Sequence, residues 1–204
     1  YKLNQQSDVT STAATLPGSF GFGDALPAHL KSVLAFNPSS MGEGKIGQLE
    51  IFSNQAAAVR ETLRTPQGGS VKITAASVDV AADVTAQGGQ ITFNARGNQV
   101  SGPIDLNVSV GDGVSLSARG EWINQVSSSG TVASTGASID GGIVSLSATN
   151  DVELGEASRV DVSGGGRIRP DGKIDGGIGG TITLEANAGA ASSTAHTGAV
   201  NLGG

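Results

Sequence analysis

The chain has 204 residues, 37% apolar and 15% charged, the proportions of a folded protein rather than a disordered one. Thirty-two glycines against 3% aromatic residues disfavour helical bundles and leave a narrow interior of Val, Ile, Leu and Ala between frequent turns. A net charge of −6 argues against nucleic acid as a partner, and the absence of cysteine excludes a disulfide framework or a thiolate metal site.

The charge is unevenly placed. Residues 1–67 carry five basic and five acidic side chains, whereas residues 68–204 carry seven and thirteen, so the second part holds the whole excess. The chain starts at Tyr1 without an initiator Met or a signal peptide, and no run is apolar enough to cross a bilayer. It is expected to be mature or internal sequence.

Residues 1–46 are read as an irregular lead-in or as atypical rungs. Residues 1–23 are rich in Ser, Thr, Gln and Gly, with a Phe20-Gly21-Phe22-Gly23 patch and no sustained period. Leu26, Leu30, Val33 and Leu34 have near-helical spacing, but Pro27 and Pro38 bracket too little chain for a stable helix, so a short strand around Val33 is favoured. Residues 37–47 read as a turn region.

From residue 47 a phrase recurs: glycine, then apolar and polar residues in strict alternation, then a small residue. Its copies are Gly47-Gln48-Leu49-Glu50-Ile51-Phe52-Ser53, Gly68-Gly69-Ser70-Val71-Lys72-Ile73-Thr74-Ala75, Gly88-Gly89-Gln90-Ile91-Thr92-Phe93-Asn94-Ala95, Gly111-Asp112-Gly113-Val114-Ser115-Leu116-Ser117-Ala118, Gly141-Gly142-Ile143-Val144-Ser145-Leu146-Ser147-Ala148 and Gly179-Gly180-Thr181-Ile182-Thr183-Leu184-Glu185-Ala186. Alternation with period two is that of a strand with one buried face. The first apolar positions, 49, 71, 91, 114, 144 and 182, are 22, 20, 23, 30 and 38 residues apart. Further short strands, Val78-Asp79-Val80, Val152-Glu153-Leu154 and Val160-Asp161-Val162, fall between copies.

A unit of about 20–25 residues that cannot bury its own apolar face must stack on a neighbour. The pattern predicts an all-β fold, a right-handed parallel β-helix over residues 47–204 with three short strands per rung. Stacking all six copies predicts three inward columns: one from Leu49 through Val71, Ile91, Val114, Val144 and Ile182; one from Ile51 through Ile73, Phe93, Leu116, Leu146 and Leu184; and a small-residue column from Ser53 to Ala186. The two long spacings are read as excursions. One contains Ser127-Ser128-Ser129-Gly130, and the other is a hairpin turning at Pro170-Asp171-Gly172, with Ile168 facing Ile174. The pattern is unfinished at Ala199-Val200-Asn201-Leu202-Gly203-Gly204, which predicts that rungs continue past Gly204 and that the exposed rung favours end-to-end association.

Copies of Gly-Gly-x-Val-x-Leu-x-Ala followed by Ser158-Arg159-Val160-Asp161-Val162-Ser163-Gly164-Gly165-Gly166, and then Asp175-Gly176-Gly177-Ile178-Gly179-Gly180, resemble the filamentous-haemagglutinin-like large exoproteins. The resemblance covers roughly residues 47–204. It implies a long β-helical fibre on the outer surface of a Gram-negative cell, exported through an outer-membrane transporter of the two-partner type. It also implies contacts with host, matrix or neighbouring-fibre surfaces and end-to-end or lateral self-association. Asn37-Pro38-Ser39 departs from the family's Asn-Pro-Asn motif, so the chain is not assigned to the secretion domain.

The chemistry-bearing residues are few. The outward positions Glu50, Lys72, Thr92, Ser115, Ser145 and Thr183 form a polar stripe, read as a solvated face, with glycans, ice or another fibre as alternative occupants. A second stripe runs Phe52, Thr74, Asn94, Ser117, Ser147 and Glu185. Arg167, Arg169 and Lys173, interleaved with Asp171 and Asp175, make a small basic tip, the first choice for a specific contact. A polysaccharide-active β-helix needs carboxylates on one face of adjacent rungs. Asp79, Asp105, Glu153 and Asp161 point outward from strands that need not align, so no enzyme activity and no cofactor are expected; a polysaccharide-binding or polysaccharide-active module is the alternative. Gly176-Gly177-Ile178-Gly179-Gly180-Thr181 resembles the calcium-binding Gly-Gly-x-Gly-x-Asp repeat, but Thr181 stands where the ligand Asp belongs. His29 and His196 are far apart and read as surface residues, without metal-site spacing. Trp122, beside Ile123, reads as core, with a glycan platform as its other reading.

Overall fold

The structure, a computed structural model, describes residues 46–96, 106–126, 139–188 and 198–203, together with the backbone of strands at 2–5, 8–10 and 33–35. The Phe20–Phe22 patch, Asn37-Pro38-Ser39, Asp105, the Ser127–Gly130 turn, His29 and His196 lie outside the described residues. Among the described residues there is no helix, and every strand pairing is parallel except one.

Strands are numbered along the chain. Sheet A sets side by side β1 (Lys2–Gln5), β4 (Gln48–Ser53), β7 (Ser70–Ala75), β10 (Gln90–Ala95), β14 (Ile143–Ala148) and β19 (Thr181–Glu185). Sheet B runs β3 (Val33–Ala35), β2 (Asp8–Thr10), β5 (Ala56–Val59), β8 (Ser77–Val80), β11 (Val108–Val110), β15 (Val152–Leu154) and β20 (Val200–Leu202). Sheet C holds β6 (Leu63–Arg64), β9 (Val84–Thr85), β12 (Ser115–Ser117) and β16 (Arg159–Asp161), and sheet D holds β13 (Trp122–Asn124), β17 (Gly166–Ile168) and β18 (Ile174–Gly176). From β4 onward the chain passes from A to B to C and back to A, by way of sheet D after β12 and after β16, and from β7 onward every strand of sheets A, B and C pairs with its counterpart of the previous pass. The strand expected around Val33 is present as β3.

The interior follows from the alternation. In β7 and β10 the apolar positions Val71, Ile73, Ile91 and Phe93 are at most 1% exposed, while Lys72 is exposed and Thr92 half-buried. Inward residues of sheet A, with Ala57, Val59, Val78, Val80, Val108 and Val152 of sheet B and Leu63, Val84 and Leu116 of sheet C, form one hydrophobic cluster. The small positions Ser53, Ala75, Ala95 and Ala148 are also buried, as expected where the chain turns between two sheets.

One expected register is wrong. Ile91 pairs with Val144, not Val114, and Phe93 pairs with Leu146, not Leu116. Leu116 lies in sheet C against Val84 and Val160, and Ser115 pairs with Arg159 there. Residues 111–118 are therefore the third strand of a longer pass, and the partner positions in sheet A are separated by 22, 20, 53 and 38 residues, from 49 to 71, 91, 144 and 182. The resemblance of this copy to the others arises because any strand with one buried face shows the same alternation. The chain between β10 and β11 brought it close to the expected spacing by length alone.

What distinguishes the true copies is a column of glycines two residues before the first apolar position: Gly47, Gly69, Gly89, Gly142 and Gly180. Each carbonyl of this column accepts the N–H that follows the next glycine: Gly47 from Ser70 (2.8 Å), Gly69 from Gln90 (3.0 Å), Gly89 from Ile143 (2.9 Å) and Gly142 from Thr181 (3.0 Å). A Cβ on Gly69 would lie 2.7 Å from the Gly47 oxygen, and those on Gly89, Gly142 and Gly180 would press harder still on the oxygens of Gly69, Gly89 and Gly142. At Gly69, Gly89, Gly142 and Gly180 glycine is required by close backbone approach, whereas Gly47, at the head of the column, has open space. Gly113, ahead of Val114, instead has a left-handed φ of 68° and open space around it.

The expected hairpin is present as β17 and β18, the one antiparallel pair among the described residues, with Ile168 opposite Ile174. The Arg169 carbonyl accepts the Gly172 N–H at 2.9 Å, and Gly172 takes φ 79°, a turn suited to Pro170 and Asp171. The hairpin is more than a loop, because β17 also pairs in parallel with β13.

Candidate functional site

The acidic excess has a structural use that the sequence reading missed. At corners where strand pairing lapses, a side-chain oxygen of one pass accepts a backbone N–H of the next. Asp83 accepts from Ser115 (2.8 Å), Asn107 from Asp151 (3.0 Å), Asp112 from Glu156 (2.8 Å), Asp140 from Ile178 (2.9 Å) and Asp151 from Ala199 (2.7 Å). Backbone donors that turn away from the ladder need partners, and an aspartate carboxylate, or in one case the Asn107 amide oxygen, one strand back supplies them. Asp161 makes a local version: its Oδ1 accepts from the Ser163 hydroxyl at 2.7 Å and the Ser163 N–H at 3.0 Å. Those two bonds hold its carboxyl below the ordinary value of 3.8, opposed by partial burial and assisted by Arg159 and Arg119.

The outward stripe of sheet A is Glu50, Lys72, Thr92, Ser145 and Thr183 in register, so it unites three of its four hydroxyl residues. Ser115 is not among them; it sits on sheet C. Lys72 Nζ lies 3.2 Å from Glu50 Oε1, which neutralises one end of the stripe. The second stripe likewise loses Ser117, which pairs with Thr85 and Asp161, and within it Ser147 is 4% exposed with its hydroxyl 3.4 Å from Glu185.

The basic tip is assembled but largely compensated. Arg169 Nε donates to Asp175 Oδ2 at 2.6 Å, which raises the guanidinium pKa, and Lys173 Nζ is 3.8 Å from Asp171. Arg167 is opposite Asp175 in the pairing of β17 with β18, and its Nε is buried without a hydrogen-bond partner. Arg169 and Lys173 are therefore not free positive groups, and Arg167 is set apart from them with its Nε buried.

Two of the outward carboxylates do align: Asp79, Ser109 and Glu153 occupy one stripe of sheet B. Asp79 is paired with Arg60, and Glu153 accepts the Ser109 hydroxyl at 3.0 Å. Asp161 stands apart on sheet C. Among the described residues no group of three His, Cys, Asp or Glu is placed to hold a metal.

Trp122 is not core. It is 58% exposed on β13, because sheet D lies outside the cluster shared by sheets A, B and C. Its ring seats on Gly166 of the following pass: a Cβ there would come within 2.7–3.0 Å of the indole Cζ3, Cη2 and Cε3. Nothing in the sequence next to Trp122 announces that seat, since Gly166 is 44 residues away (166 less 122) and is brought over by the pairing of β13 with β17.

Searches of family models, of curated proteins and of solved structures find no match to this chain.

Proposed function

We propose that the chain is a segment of a right-handed parallel β-helix serving as a rigid structural and adhesive rod. In this reading it belongs to a secreted fibre of the filamentous-haemagglutinin-like kind, on the outer surface of a Gram-negative cell. A two-partner outer-membrane transporter exports it. The observation that carries the reading is the parallel register: three sheets are visited in turn, each strand pairs with its counterpart one pass earlier, and their inner faces share one aliphatic cluster. Such a stack grows by about 4.8 Å per pass and gains stiffness from continuous pairing. We assign it no reaction, since its aligned carboxylates, Asp79 and Glu153, are each engaged by a neighbour.

Negative-stain electron microscopy of the protein released from cells, with an antibody against this chain, tests the reading. Antibody bound along thin unbranched rods is expected; antibody bound to compact particles would overturn it. A polysaccharide-binding module is the second reading, favoured by the exposed Trp122. Retention of the chain on immobilised polysaccharide, with compact particles in the microscope, would select it.

A further inference from the structure

We propose that the outer face of sheet D is a binding shelf for a neutral sugar ring. Side chains alternate along each strand, so one face of this sheet carries Trp122 and Asn124 from β13, Gly166 and Ile168 from β17, and Ile174 and Gly176 from β18. Pairing arranges them in two rows, Trp122–Gly166–Gly176 and Asn124–Ile168–Ile174. In the first row the indole lies on the bare backbone of Gly166, so the exposed surface of the ring is its outer face. Beyond it, a Cβ placed on Gly176 would meet nothing within 4 Å, so the floor continues flat and open. In the second row Ile174, 65% exposed, stands as an apolar edge. Asn124 Oδ1 is fixed by the Val126 N–H at 2.9 Å, which orients the amide about 6.6 Å along the strand from Trp122.

The dimensions and charge select the occupant. Three strands about 4.8 Å apart and three residues of about 3.3 Å give a footprint of roughly 140 Å². A protein partner requires about 800 Å² on each side, so the shelf suits a small ligand. Of the hairpin's cations, Arg169 is met by Asp175 and Lys173 by Asp171, while Arg167 alternates to the opposite face in the row Ile123–Arg167–Asp175, so the shelf itself calls for neither an anion nor a cation. A ligand with one flat C–H face and hydroxyls at its rim fits an aromatic floor with an amide at the edge. That description is a neutral pyranose. The inference stands apart from the rod reading, because sheet D contributes nothing to the shared core, and a failure of binding leaves that reading untouched.

The chain has one tryptophan, so its fluorescence reports this shelf directly. The intact chain is titrated with maltohexaose, cellohexaose, mannohexaose and xylohexaose, and calorimetry is run in parallel. A saturable emission change with at least one of them is expected, with a Kd of about 0.1–10 mM, as befits a contact of one or two rings. Gly176→Val keeps the fluorophore and places a side chain in open space, so the chain should fold as before, by circular dichroism, and bind at least about tenfold more weakly. Trp122→Ala should abolish the calorimetric signal. No change with any of the four sugars up to about 10 mM would overturn the proposal. So would binding unaffected by Gly176→Val, or an emission shift produced instead by phosphatidylcholine vesicles or by polygalacturonate.

Discussion

Replacing Gly89 by alanine tests whether the glycine column holds sheet A in register. The new methyl would be driven into the Gly69 carbonyl oxygen, the atom that accepts the Gln90 N–H at 3.0 Å. Even at Gly69, where the clash is milder, relieving it requires moving two paired strands by about 0.6 Å, from 2.7 Å to a normal carbon–oxygen separation of about 3.3 Å. At Gly89 the movement is larger and lies between two strands whose inward side chains are fully buried. Losing the hydrogen bond and leaving its carbonyl unpaired costs ~1–3 kcal/mol, and overpacking adds ~1–3 kcal/mol. A total near 3 kcal/mol in a chain of this length lowers the melting temperature by about 6–12 °C. Gly47→Ala is the control, since its Cβ would meet nothing within 4 Å, and a change within ~0.5 kcal/mol is expected. Thermal unfolding followed by circular dichroism reads both. A Gly89→Ala chain melting within about 2 °C of the parent, or a Gly47→Ala chain destabilised as much, would refute the reasoning.

Within one column of sheet A, Ile91 is fully buried and Ile182 is 45% exposed. Ile91→Ala should therefore cost ~2–5 kcal/mol in urea unfolding and Ile182→Ala about half or less; equal losses would show that the two positions do not differ in packing. Asp161→Ala removes the two bonds to Ser163 and should cost ~1 kcal/mol at neutral pH. Because the folded carboxyl titrates below its ordinary value of 3.8, that contribution is complete above this value and is lost as pH falls through the folded one. Urea midpoints of parent and variant should converge at acid pH, and a gap that persists there would contradict this assignment.

Much of the fold was legible because a period of two with valine, leucine and alanine at fixed places specifies a half-buried strand wherever it occurs. That same generality misled at residues 111–118. The alternation of Val114, Leu116 and Ala118 says that a strand is present, not which sheet it joins. The discriminating signal was nevertheless in the sequence: Gly69, Gly89, Gly142 and Gly180 stand two residues before the first apolar position, whereas Gly113 stands next to Val114. Only the backbone contacts reveal why the offset matters. The aspartates between strands were legible as an acidic surplus but not as partners for the following pass, since Asp140 and Ile178 meet only once the chain has gone round again. Trp122 was misplaced for a related reason. An aromatic beside an isoleucine suggests core, but its environment is set by Gly166 and Gly176, two residues without side chains in a distant hairpin. The basic tip was recognised as a hairpin correctly, while the charges of Lys173 and Arg169 are met by Asp171 and Asp175.

The register of sheet A is tested most directly by cross-linking, because the chain has no cysteine and an introduced pair reports on itself alone. Thr92 and Ser145 are directly paired on adjacent parallel strands, with outward side chains. Strand neighbours about 4.8 Å apart fall inside the Cα separation of roughly 4.4–6.8 Å that a disulfide tolerates. Mild oxidation of the double variant Thr92→Cys, Ser145→Cys should close an intramolecular disulfide in the folded monomer, read by mass spectrometry after proteolysis. The pair Thr92→Cys, Ser115→Cys, which the uniform spacing of six copies would bring together, should stay reduced under the same conditions. Efficient closure of the second pair and not the first would contradict the account.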